Sequence, residues 1–351
     1  MVPTRSIPSE RLHHARFPRH CISPPLPLTR RRVLQHLGMA AAAVPLTGGL
    51  SACSHTSPAA SHTPPLITDF ASARWATGGT RSIPAAVRAV QPFAAQTADR
   101  CRLTCEATIG PCHTTSVQRS DISDGWDGLP LYMVLRVVNA QCQPVKDAIV
   151  EIWHTNYTGG YSGQIVQMCN NNPADLDKQF FRGWQRTDAQ GMVRFDSCYP
   201  GWYRGRAVHV HLRILPGNYD GDDRASTLAT TQLLFPDALN QSIFASQPLY
   251  QSHGQPDTTL ATDGVVGGET DFNPYVFEIR NVQGVMLASK TLTITSHPED
   301  ARCEAQGRMG MGGPPPGGVW PPQGMPPGGG FPPPPGAPRG PWRGPVPPVS
   351  R

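Results

Sequence analysis

The central part of the chain, residues 101–300, is predicted to fold as an all-β, antiparallel β-sandwich. Its apolar runs are short, rich in Val, Ile, Leu and Tyr, and separated by turn residues. No long amphipathic helix alternates with these runs, as the connections of a parallel α/β sheet would require. We therefore expect two packed sheets that carry the functional residues in their loops.

Six segments within this region are predicted to be strands. Each is a short run rich in apolar and β-branched residues, and turn residues separate the runs, which is typical of strands. Upstream of them, residues 84–100 have some helical spacing of apolar side chains, which Pro92 interrupts. The predicted strands are 131–138, 148–153, 192–195, 207–215, 275–279 and 285–294.

The two ends of the chain differ in composition from its middle. Of the 351 residues 39 are Pro and 35 are Gly, and most of these lie near the ends. Such segments cannot bury enough apolar surface to offset the entropy of ordering. Residues 54–100 are thus predicted to be a tether with a short helix, and 301–351 a disordered tail. The net charge is only +5, without a basic stripe in the central region, so nucleic acid is not expected as a partner.

Residues 1–53 are predicted to be an export signal. Arg30-Arg31 and the residues after them resemble a twin-arginine motif, and the apolar stretch 37–50 is too short for an ordinary transmembrane helix. The stretch ends in Leu50-Ser51-Ala52-Cys53, which resembles a lipobox. We therefore expect an exported protein, at the periplasmic or extracellular face, that is anchored to the membrane through lipidated Cys53.

Seven of the nine cysteines follow this leader. An exported protein is expected to form disulfides, and an odd number leaves one thiol unpaired. The absence of two opposed CxxC pairs argues against a zinc ribbon. The spacing leaves the pairing open.

Two histidines two positions apart, His209 and His211, lie in the predicted strand 207–215. Alternate residues of a strand point to the same face, so both imidazoles project together. Such a pair is a common half of a mononuclear metal site. Taken alone, it fits a solvated strand face, or a copper or zinc protein, equally well.

Two tyrosines near these histidines indicate which metal is expected. Tyr161 follows the strand ending at Trp153, and Tyr203 precedes His209 by six residues. A phenol has an ordinary pKa of ~10, so a tyrosinate ligand needs a strongly acidic metal. With no carboxylate close in sequence, the set favours Fe(III) over a ferrous site of two histidines and one carboxylate. Two further tyrosines, Tyr157 and Tyr199, are interpreted as packing residues.

An ordered series of motifs resembles the intradiol ring-cleavage dioxygenases, the group that contains catechol 1,2- and protocatechuate 3,4-dioxygenases. The resemblance spans most of the central region. Upstream, Gly110-Pro111 and Arg119-Ser120-Asp121-Ile122 resemble the exported branch of bacteria and fungi. The motifs are Pro144, Val150-Glu151-Ile152-Trp153, Gly160-Tyr161-Ser162, Phe181-Arg182-Gly183, Thr187-Asp188, Pro200-Gly201, Tyr203, Arg206, His209, His211 and Gln232.

This resemblance implies O2-dependent cleavage of a catechol ring, giving a cis,cis-muconate-type dicarboxylate. Arg206, which has no acidic partner beside it in sequence, is implied to be the active-site guanidinium and to stabilise negative charge on the ring. Gln232 is implied to assist it by hydrogen bonding. The implied ligands of Fe(III) are Tyr161, Tyr203, His209 and His211.

One departure from the family concerns the substrate pocket. Cys112-His113 follows Gly110-Pro111, where the family usually has an aromatic residue. We interpret His113 as a surface residue, and the change as one that affects the substrate more than the metal. The alternative function is a non-catalytic binding module displayed on the envelope, which would have no need for these tyrosines, histidines and Arg206 in order.

Overall fold

The structure, a computed structural model, describes residues 63–93 and 101–307, apart from 165, 167 and 171. The predicted leader with Cys53, the first part of the tether and nearly all of the predicted tail lie outside the described residues. Within the described ranges, no helix is long and apolar enough to cross a membrane.

The described residues form eight strands. They form two four-stranded sheets, one in the order β4-β1-β8-β7 and the other in the order β3-β2-β5-β6, with the bounds β1 Pro130–Val138, β2 Ile149–Trp153, β3 Arg182–Arg186, β4 Met192–Cys198, β5 His209–Leu215, β6 Ala229–Leu234, β7 Glu278–Val282 and β8 Val285–Thr293.

The predicted β-sandwich is confirmed. Every pair of neighbouring strands is antiparallel except β1 and β8, which run parallel. Alternate side chains of β1, such as Leu131 and Met133, meet Val150, Ile152 and Leu212 from the other sheet in one apolar core. This alternation places the opposite faces of β2 and β5 away from the core, where the polar residues of the site lie.

The short helices lie in the connections. The α-helices are α1 Ala85–Arg88, α2 Asp237–Ser246 and α3 Pro248–Gln251, and the 3-10 helices cover Gly79–Ser82, Pro173–Asp175 and Leu260–Thr262. The predicted helical segment 84–100 is therefore only four residues long within its described part. The predicted strand 275–279 begins later, at Glu278, because Tyr275 and Val276 form a turn onto Phe272.

Three disulfides join Cys101 to Cys142, Cys105 to Cys303 and Cys112 to Cys169. Cys198 is the one free cysteine among the described residues, and it is buried. The prediction of disulfides with one thiol left over is confirmed. These bonds connect the segment before β1 to the loop after β1, to the loop after β2 and to the segment after β8, which fixes it against the sandwich.

Candidate metal centre

The two histidines lie at the start of strand β5. His209 Nδ1 lies 2.6 Å from the Ala207 carbonyl oxygen and donates to it, so Nε2 holds the free lone pair. The Nε2 atoms of His209 and His211 are 3.0 Å apart. Trp153, opposite His211 in the pairing of β2 with β5, stacks on the His211 ring with its centroid 5.1 Å away. Both imidazoles are thus held in fixed orientations and face one point.

Both predicted tyrosine ligands reach the same point. The hydroxyls of Tyr161 and Tyr203 each lie 3.3 Å from His209 Nε2. Tyr161 comes from the loop after β2 and is fully buried, whereas Tyr203 follows the Pro200-Gly201 turn and is only partly buried. The structure therefore brings together four side chains from two loops and one strand.

Burial controls the protonation of these groups. It lowers the pKa of His209 to about 3, with a further contribution from Arg206, and lowers the pKa of His211 well below its ordinary value. Burial, followed by the neighbouring Tyr203, raises the pKa of Tyr161 well above that of a free phenol. Both imidazoles are therefore neutral and able to act as ligands, and Tyr161 loses its proton only beside a strong positive charge.

The donor set fits a strongly acidic metal ion. His209 Nε2 can accept one hydrogen bond, yet three polar atoms lie within 3.3 Å of it. No group of three His, Cys, Asp or Glu side chains suited to a metal occurs in the described part of the chain. The two phenols therefore complete the donor set. A cation placed between the two phenol oxygens and the two imidazole Nε2 atoms would satisfy all four.

Arg206 and Gln232 lie beside the four donors. Arg206 Nη2 donates a hydrogen bond to Gln232 Oε1, and Gln232 Nε2 donates to the Thr108 carbonyl oxygen at 2.7 Å. Gln232 is opposite His211 in the pairing of β5 with β6. The guanidinium is thus oriented by the strand that neighbours the histidines.

Asp263 is a partner of Arg206 that sequence reasoning missed. Its Oδ2 accepts hydrogen bonds from Arg206 Nε at 3.0 Å and from the Ala207 backbone N–H at 2.8 Å. Burial opposes charge on both residues, but their attraction outweighs it: the pKa of Asp263 is lowered, and Tyr203 together with Asp263 raises the pKa of Arg206. The two residues are 57 positions apart, so no local pattern links them.

The interpretation of His113 as a surface residue is wrong. Its side chain is fully buried and contacts two carboxylates, with Nε2 3.3 Å from Glu151 Oε2 and Nδ1 paired with Asp223. Its ring packs edge-on against Trp153, on which His211 stacks. The segment is drawn inward because Cys112, the preceding residue, is tied by its disulfide to the loop after Tyr161.

The two tyrosines interpreted as packing residues do pack. Tyr199 is buried, donates a hydrogen bond to Asn240 and contacts the ring of Tyr250, against which Tyr157 also packs edge-on. Neither hydroxyl joins the four donor atoms among the contacts of the described residues.

Residues 107–279 match the family model described as Dioxygenase. The protocatechuate 3,4-dioxygenase beta chain of Burkholderia cepacia is 31% identical over 124 residues, which cover 33% of this chain and 47% of that relative. Catechol 1,2-dioxygenase 2 of Acinetobacter lwoffii is 30% identical over 146 residues, which cover 32% and 50%. The chain thus spans about half the length of the curated relatives that it matches.

Among solved structures, an intradiol ring-cleavage dioxygenase from Tetranychus urticae is 26% identical, with a TM-score of 0.47, over 57% of this chain and 97% of that chain. The family model matches the region that holds the four donor side chains, Arg206 and Gln232. Through this region, the chain belongs to the intradiol ring-cleavage dioxygenase family.

Proposed function

We propose that the protein is an Fe(III)-dependent dioxygenase that cleaves a catechol-type ring between its two hydroxyl-bearing carbons. The observation that carries this proposal is the convergence of three polar atoms on His209 Nε2, all within 3.3 Å. Two phenols and two neutral imidazoles suit ferric iron, because only a strongly acidic cation ionises a buried phenol. The curated relatives, named as protocatechuate and catechol dioxygenases, support the same reaction class.

The proposed reaction balances without an external reductant. The bond between the two hydroxyl-bearing carbons breaks, and each of these carbons gains one oxygen atom from O2 and becomes a carboxyl carbon. The ring supplies the electrons that reduce O2, and the product is a cis,cis-muconate-type dicarboxylate. Ferric iron, when bound, supplies the Lewis acidity that opens an electron-rich catecholate ring to O2.

The two tyrosines have different surroundings, which suggests different roles. Tyr161 is fully buried, and its backbone is hydrogen-bonded to Cys169. Tyr203 is only partly buried and lies in a loop rather than a strand. Tyr203 is therefore the residue with room to move aside when a catechol enters, and its phenolate is the base that takes up a substrate proton.

Arg206 stabilises the negative charge that develops on the substrate ring during the reaction. Its guanidinium is held by Asp263 and Gln232 rather than left to rotate, and its side chain is 13% exposed. Because the cation is already in place, it stabilises this charge without a free-energy cost for reorienting the side chain during the reaction. Gln232 keeps the guanidinium in place through its own bond to Thr108.

Metal analysis with visible absorption spectroscopy tests this assignment of the site. The purified protein should contain about one iron per polypeptide chain. It should be red-brown, since tyrosinate-to-iron charge transfer absorbs visible light. Copper or zinc held by His209 and His211 alone would give a different elemental result and no such band. A metal-free, colourless protein after growth with iron would favour the non-catalytic binding module.

We further propose that the protein is exported and anchored through lipidated Cys53. Support comes from the twin-arginine-like and lipobox-like sequences. The three disulfides of the described domain are typical of proteins that fold or function in oxidising compartments.

A further inference from the structure

The backbone of Tyr161 is fixed to a disulfide. Its N–H donates to the Cys169 carbonyl oxygen at 2.9 Å, and its own carbonyl oxygen accepts from Asn170 Nδ2 at 2.8 Å. Cys169 is bonded to Cys112, with the two Cα atoms 5.5 Å apart. The disulfide packs with Trp153 and the Tyr161 ring in one buried apolar cluster. Tyr161 therefore depends for its position on a covalent bond to the segment before β1.

Arg182, the first residue of β3, is hydrogen-bonded to both the loop that carries Tyr161 and the segment before β1. It is fully buried, and its Nη2 donates to the carbonyl oxygens of Cys112 at 2.7 Å and Ser162 at 2.6 Å. Its Nε also donates to Ser162, at 2.9 Å from the carbonyl oxygen. One planar guanidinium thus joins the residue that follows Tyr161 to one half of the disulfide.

The guanidinium also contacts the tyrosine ring. Arg182 Cζ lies 5.9 Å from the centre of the Tyr161 ring, within the range of a cation–π contact. None of the ion pairs of the described residues includes Arg182, and its Nη1 is buried without a hydrogen-bond partner. A buried cation without a carboxylate partner is costly and is retained only where its hydrogen bonds serve another purpose. Here the side-chain hydrogen bonds all go to Ser162, the residue after Tyr161, and to Cys112, one half of the disulfide.

We propose that Cys112, Cys169 and Arg182 together form a tyrosine clamp that positions Tyr161 as a metal ligand. The inference rests on the proposed function, because it takes Tyr161 to be an iron ligand. Without the clamp, the loop after β2 keeps its sequence but loses its connection to the segment before β1. The Tyr161 hydroxyl then no longer stays beside His209 Nε2, and iron is held by fewer fixed ligands.

The double variant Cys112→Ala/Cys169→Ala tests the clamp, with Cys101→Ala/Cys142→Ala as its matched control. Both lose one disulfide, but the second bond joins the segment before β1 to the loop between β1 and β2, not to the loop that carries Tyr161. The readouts are the rate at which a chelator removes iron and the visible charge-transfer band. Supporting residues of metal ligands typically change affinity by about 10- to 100-fold. The clamp variant should lose iron faster by about that factor, with its band moved toward that of Tyr161→Phe, and the control should match the wild type.

Arg182→Lys provides a second variant that keeps the charge but loses the planar fork, and it decides the question if the cysteine variant does not fold. It should also release iron faster and shift the band, and adding it to the cysteine variant should give less than the combined effect, because both act on one loop. Iron release and spectra equal to those of the control in both variants, or in Arg182→Lys alone if the cysteine variant does not fold, would overturn the clamp. A wild-type protein without iron or a visible band would instead overturn the proposed function.

Discussion

Arg206 Nε and Asp263 Oδ2 form a hydrogen-bonded ion pair 3.0 Å long that connects the guanidinium to a loop 57 residues away. The same carboxylate oxygen accepts the Ala207 N–H, and the Ala207 carbonyl oxygen accepts His209 Nδ1–H. One carboxylate is thus linked both to the proposed electrostatic catalyst and to the backbone that orients a proposed ligand.

Removal of the Arg206 guanidinium should separate catalysis from metal binding. Arg206→Ala should keep its iron and its colour but lose turnover by about a hundred- to thousandfold, because a preorganised electrostatic contact is lost. Arg206→Lys should recover only part of the rate, since an ammonium keeps the charge without the fork that reaches both Asp263 and Gln232. The measurement is O2 consumption per iron atom. Near-normal turnover in Arg206→Ala would refute the catalytic role, and loss of iron would make Arg206 a support of β5.

Asp263→Ala should destabilise the fold, because it leaves the largely buried guanidinium of Arg206, 13% exposed, without its carboxylate partner. Breaking such a pair typically costs about 3–5 kcal/mol, whereas Glu299→Ala at an exposed position should change stability by less than about 0.5 kcal/mol. The pKa of Asp263 is lowered in the folded protein, so its contribution is present at neutral pH and lost as the pH falls through that lowered value. Denaturant unfolding of both variants measures this, and equal stabilities would contradict it.

Buried neutral histidines should make the metal-free protein sensitive to acid. Burial lowers the pKa of His154 to about 4 and that of His209 to about 3, from 6.5. The unfolded chain therefore binds more protons below pH 6.5, and stability should fall as the pH decreases from 6.5 toward 4 by up to about 1.4 kcal/mol per unit for each histidine. Thermal unfolding of metal-free protein at several pH values measures the slope, which His154→Gln should reduce. A stability that stays constant over this range would show that these side chains are not buried in neutral form.

Substitutions in the predicted leader should change where the protein is found in the cell. Cys53→Ser should release the protein from membranes, because it removes the lipidated residue. Arg30→Lys with Arg31→Lys should retain the protein inside the cell, because twin-arginine recognition is lost. Cell fractionation with an antibody to the domain measures both, and an unchanged distribution in both variants would refute the proposal.

Much of the fold could be predicted from sequence because its strands differ locally from their surroundings. The apolar runs of β1, β2, β5 and β8 lie between turn residues and were predicted close to their observed bounds. Strand β3 was missed because Arg182–Arg186 begins and ends with Arg and contains Gly183, and it forms by pairing with β2. Strand β6 was missed because Ala229–Leu234 begins with small and polar residues.

The predicted site residues stand out by residue type and order, so the sequence could point to them. The contacts that support them could not be found in that way, although Arg182 lies in one of the motifs. Asp263 reaches Arg206 and Arg182 reaches Ser162 only after loops distant in sequence close onto one another. His113 was misplaced for the same reason, since its burial depends on the Cys112–Cys169 bond, whose pairing the cysteine spacing left open.

Labelled oxygen can show whether the protein cleaves a catechol ring as a dioxygenase. Iron-replete wild-type protein is supplied with isotopically labelled O2 and a panel of catechols, and both O2 uptake and product mass are measured. We expect one O2 to be consumed for each ring opened, with both labelled atoms in a muconate-type dicarboxylate. No O2 uptake with any catechol by a fully iron-loaded protein, or a product that carries only one labelled atom, would contradict it.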